Sequence, residues 1–80
     1  MSDVVTFSFI RRMNRKEILE NRDNINNYLK IKILRYGNSK KAKNEISGVI
    51  DFLISKNIDL GSYLSKEVRE WLMKNLFLKN

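Results

Sequence analysis

Leu29-Lys30-Ile31-Lys32-Ile33-Leu34-Arg35-Tyr36 is the stretch on which the fold turns. Its first five residues alternate apolar and basic, the period of a half-buried strand, while Leu29, Ile33 and Tyr36 also stand four and three apart, the period of a helix face. The surrounding residues favour the helix. Asn14 followed three residues on by Glu17 is a capping-box pattern, and Gly37 is the residue type that commonly ends a helix in the left-handed conformation. Between them Ile18, Ile25, Leu29, Ile33 and Tyr36 recur at spacings of seven, four and three, so one helix is expected over about 15–36. The competing reading breaks that helix near Asn26-Asn27 and makes 29–36 a strand.

Upstream, Val5, Phe7 and Phe9 alternate with Thr6 and Ser8, which predicts a short N-terminal β-strand over Val4 to Ile10. One strand is not stable unpaired and requires a second from this chain or another copy. Downstream, Ser39 is placed to cap a helix over about 40–56, with Ala42, Ile46, Val49, Ile50 and Leu53 along one face and Gly48 marking a close contact. Lys56 to Gly61 turns the chain into a third helix over about 62–76, where Leu64, Val68, Trp71, Leu72 and Leu76 keep helical spacing. The expected fold is therefore mainly α, a short N-terminal β-strand followed by three helices. The alternative is α+β, with 29–36 as a second strand. In that form, residues 29–76 resemble ribbon-helix-helix proteins in order and size, apart from a long turn and an extra N-terminal segment. The resemblance implies a dimer whose paired strands enter the major groove of DNA with Lys30 and Lys32 exposed.

Eighty residues are expected to form a single domain with a thin core, since a chain this short hides only about 60% of its unfolded surface. The absence of Cys and His excludes disulfides, zinc fingers, thiol nucleophiles and imidazole bases, and no cofactor or metal is expected. No apolar run approaches the roughly 20 residues needed to cross a bilayer. Met1-Ser2-Asp3 lacks the basic-then-apolar order of a signal peptide, so a cytoplasmic protein without a membrane partner is expected.

The net charge of +7 is local rather than spread. Arg11, Arg12, Arg15 and Lys16 form one patch, and Lys30, Lys32, Arg35, Lys40, Lys41 and Lys43 form another with no acid among them. From residue 44 onward acids and bases balance. Segregated positive charge favours a polyanionic partner, because each phosphate neutralised releases counterions. The candidate nucleic-acid contacts are Arg11, Arg12, Arg15, Lys30, Lys32, Arg35, Lys40, Lys41 and Lys43, with DNA favoured over RNA. The arginines are the better readers of base edges because their fork is bidentate. Tyr28 and Tyr36, interleaved with the second patch, offer faces on which unpaired bases can stack. A helix-turn-helix over 40–76 is a further arrangement, although Lys66, Arg69 and Lys74 on its reading helix are balanced by Glu67 and Glu70.

Catalysis finds little support. Glu45, Asp51, Glu67 and Glu70 are spaced as ordinary helix-surface acids, and Ser39, Ser62 and Ser65 read as caps rather than nucleophiles. The expectation is a binding protein, not an enzyme. Leu64, Val68, Trp71, Leu72, Leu76 and Phe77 form an apolar stripe that would join two copies into a dimeric regulator or accessory factor. The other reading is an inhibitor, adaptor or assembly factor that meets an acidic protein.

Overall fold

The computed structural model describes residues 6–37 and 39–77, with 76 and 77 described by backbone alone. Six helices follow in order: α1 (Phe7–Ile10), α2 (Arg15–Glu20), α3 (Arg22–Tyr36), α4 (Lys40–Ser55), α5 (Leu60–Tyr63) and α6 (Lys66–Leu72), the last running into a π-helical turn over Met73–Phe77. Among the described residues there is no strand, which overturns both the N-terminal β-strand and the ribbon-helix-helix alternative. The mainly helical character stands. Val4 and Val5 of the expected strand lie outside the described residues.

The reason Phe7–Ile10 is a helical turn lies in its cap and its partners. The Phe9 amide donates to Thr6 Oγ1 at 3.3 Å, and the turn carries Phe7 and Ile10 inward together while Phe9 stays half exposed. A strand would have placed Phe7 and Phe9 on one face. The Phe7 ring lies against α4 at Gly48, where an added Cβ would fall 2.8 Å from its Cζ. Gly48 thus marks a close approach, as its position inside a helix suggests.

The expected helix over 15–36 is two helices. Asn14 and Glu17 do close a capping box, with the Glu17 amide donating to Asn14 Oδ1 at 2.8 Å and the Asn14 amide to Glu17 Oε1 at 2.9 Å. Four residues after Glu17, Asn21 leaves helical geometry (φ −102°, ψ 24°), and its side-chain amide donates to the Glu17 carbonyl at 2.8 Å. Asparagine competes with the helix for its own backbone acceptors, and the chain bends there. Residues 29–36 lie wholly within α3. Gly37 continues with φ −57° and ψ −22° rather than turning left-handed. Its value is space, since a Cβ there would lie 2.5 Å from the Ile33 carbonyl oxygen and 3.4 Å from Trp71 Nε1.

Ser39 caps α4 as anticipated, accepting from the Ala42 amide at 3.3 Å. The far end of α4 closes on Asn57, which takes φ 60°. The Ile58 amide donates to the Leu53 carbonyl at 3.1 Å and the Asn57 amide to that of Ile54 at 2.9 Å, a Schellman motif with Ile58 and Leu53 both in the core. The expected helix over 62–76 is likewise divided. Asp59 accepts from the Gly61 amide and starts α5, and Leu64 turns extended (ψ 145°) before α6 begins.

The core is built from Ile10, Ile18, Ile25 and Leu29 on one side and Ile46, Val49, Leu53, Val68 and Leu72 on the other. Asn26 is the one buried polar residue among those described. Its side chain donates to the Arg22 and Tyr63 carbonyls at 3.0 and 2.9 Å and accepts from the Ser65 amide at 2.8 Å, which ties α3 to the junction of α5 and α6. The thinnest dimension is 19 Å, which admits two helix layers at the usual spacing of about 8–10 Å. No described helix is long and apolar enough to cross a membrane.

Candidate nucleic-acid interface

α3 and α4 fold back on each other across residues 37–39 and leave a cleft of about 240 Å³ lined by Lys32, Tyr36, Ser39, Lys41, Ala42 and Glu45. The pairing is symmetrical about the turn. Lys32, on the last turns of α3, donates to Glu45 Oε1 on the second turn of α4, and both side chains are about three-quarters buried. The hydrogen bond to Glu45 holds the Lys32 ammonium above the usual lysine range, against a smaller opposing effect of burial. Its Nζ stands 5.7 Å from the Tyr28 ring centroid and 5.8 Å from that of Tyr36, so the cation is flanked by two π faces.

The aromatic run continues onto α1. Tyr28 lies within reach of the Phe7 backbone amide, and burial pushes its phenol above the ordinary range while Lys32 pulls the other way. The Arg11 guanidinium sits 5.5 Å from the Phe7 ring centroid. Arg11, Phe7, Tyr28, Lys32 and Tyr36 therefore follow one another across the face where α1 meets the α3–α4 pair. At one end of this face Lys40 and Lys41 occupy the first turn of α4, where the helix dipole adds to their positive potential.

The structure divides the remaining cations. Lys30 and Lys32 would share one face of a strand, but on a helix two residues are about 200° apart, which sends exposed Lys30 to the other flank of α3. The same geometry separates Lys43 from Lys41 on α4. Arg35 is exposed and lines not the cleft but a neighbouring groove, with Tyr36 and Trp71. Arg12 is exposed on the loop after α1. Arg15 is engaged elsewhere: its Nε donates to the Lys56 carbonyl at 3.2 Å and Nη2 to that of Asn57 at 3.5 Å. That places it at the C-terminal end of α4, about 24 Å from Lys40 by helix rise.

The expected interface is rearranged as well. Leu64, Val68 and Leu72 are buried in the chain's own core at 2%, 0% and 1% exposure, so they are not free to meet a second copy. Trp71 is half-buried and lines a separate groove with Ile33, Leu34, Gly37 and Ser39. The side chains of Leu76 and Phe77 lie outside the described residues.

Two participants escaped the sequence. Glu45 read as an ordinary surface acid, and Phe7 as a strand residue. Glu45 was within reach of inspection: reflecting Lys32 through the turn at 37–39 brings it opposite the second turn of α4. Phe7 had no such signal, because only the notch at Gly48 decides where its ring goes. No family model, curated protein or solved structure matches the chain.

Proposed function

We propose that this chain is a small basic nucleic-acid-binding protein of the cytoplasm, a regulator or accessory factor without catalytic activity, with DNA favoured over RNA. One observation carries the reading: Lys32 and Lys41 gather beside Tyr36 at the α3–α4 cleft, and Arg11 joins them through Phe7 and Tyr28. Cations interleaved with aromatic faces suit a ligand that presents phosphates and bases together. The binding surface proposed here is smaller than the two full patches, since Arg15, Lys30 and Lys43 point elsewhere.

Electrophoretic mobility shift of labelled DNA at about 50 mM salt, where even non-specific phosphate binding is strong, tests this. A shift is expected, and joint reversal of Lys40 and Lys41 to Glu should abolish it without lowering the melting temperature. Absence of any shift in the wild type would favour a protein partner. That second reading draws on Leu34, which is 73% exposed beside the Trp71 groove and leaves an apolar surface on the opposite flank of α3. Light scattering of the wild type and of Leu34→Asp addresses the special case of a second copy, and a monomer in both removes it.

A further inference from the structure

We propose that the α3–α4 cleft holds one unpaired nucleobase, stacked on Tyr36, with its N–H edge turned to Glu45 and the adjoining phosphate on Lys41. The proposal rests on the nucleic-acid reading above and narrows it to single strands. At about 240 Å³ the cleft is smaller than the pockets that take drug-sized ligands and suits one flat ring. Tyr36 is 51% exposed and offers the ring a face, while exposed Lys41 stands on the same rim.

Glu45 decides between base and phosphate. A carboxylate repels phosphate oxygens but accepts from amino groups, as acidic side chains do from the cytosine amine. Its Oε1 is engaged by Lys32, and among the described residues nothing donates to Oε2. An incoming N–H group has an acceptor waiting. In a duplex the Watson–Crick edges are already paired, so the base must come from a single strand. Adenine, guanine and cytosine carry an exocyclic amine, whereas thymine has only a ring N–H. Stacking on Tyr36 tolerates any base, and Glu45 adds a preference for those with the amine.

Fluorescence anisotropy of the full chain provides the test, using labelled oligo-deoxycytidine and oligo-deoxythymidine of about 12 nucleotides, within the site sizes of small single-strand binders. A duplex of equal length is the comparison. Expected is tighter binding of the single strands than of the duplex, with the cytidine strand several-fold ahead of the thymidine strand. Tyr36→Leu should weaken both single strands roughly tenfold and leave the duplex unchanged, while Tyr36→Phe keeps wild-type affinity. Glu45→Ala should erase the cytidine preference, so that the cytidine and thymidine strands bind equally. Equal wild-type affinity for all three probes, with Tyr36→Leu unchanged, overturns the base cleft and leaves phosphate binding standing. No binding of any probe at about 50 mM salt overturns the nucleic-acid reading as well.

Discussion

Tyr63 shows how much one side chain does in a chain this thin. It is 3% exposed, and its hydroxyl donates to the Ile18 carbonyl at 2.6 Å, joining α5 to α2. Burial pushes its phenol from 10.0 up to about 12, with Arg22 pulling more weakly the other way. The unfolded chain therefore loses this proton first as pH rises, and the stability linked to it is complete below pH 10 and falls away toward pH 12. Urea melts across that alkaline window should show the fall, and Tyr63→Phe should flatten it while costing about 1 kcal/mol at neutral pH. An equal alkaline loss in the variant would assign the effect to the lysines instead. Residue-level signals of this kind were unevenly legible. The caps at Asn14 and Ser39 could be read because a cap is settled within four residues. The burial of Tyr63, like that of Asn26, depends on helices far away in sequence.

At the scale of elements, the alternations at Val5–Phe9 and Leu29–Ile33 both suggested strands, and the structure holds none where they are described. A period of two over five residues is a weak signal, and the Thr6 cap together with the Gly48 notch outweighs it near the N-terminus. Helix breaks were less legible than helices. Asn21 and Leu64 interrupt what periodicity joined, because the apolar spacing is nearly continuous through each bend. The end of α4 illustrates the reverse case, in which local chemistry is visible but its cost is not. Asn57 holds φ 60°, where most side chains are strained and asparagine is tolerated. Asn57→Gly should therefore raise stability by about 0.5–1 kcal/mol, and Asn57→Ala should lower it by about 1 kcal/mol. Chemical denaturation of the two variants beside the wild type measures both. A loss with glycine would mean that the asparagine side chain, rather than the backbone, holds the turn.

For the whole molecule, charge segregation along the chain was plain in the sequence, and its arrangement in space was not. Helical phase decides that arrangement. Lysines two apart diverge, and the expected nine-residue surface shrinks to the cations around the α3–α4 cleft. The salt dependence of the proposed single-strand binding would report the difference. About four phosphate contacts give a slope of log affinity against log salt near −3, whereas nine converging bases would give about −6. Titrations at several salt concentrations discriminate the two, and the steeper value would return Arg15, Lys30 and Lys43 to the binding surface. The single tryptophan makes such titrations simpler. Trp71 shares Tyr36 and Ser39 between its own groove and the cleft, with its indole nitrogen against Gly37. Its intrinsic emission should therefore change when the proposed ligand enters the cleft, a signal readable in the unmodified protein with unlabelled ligands.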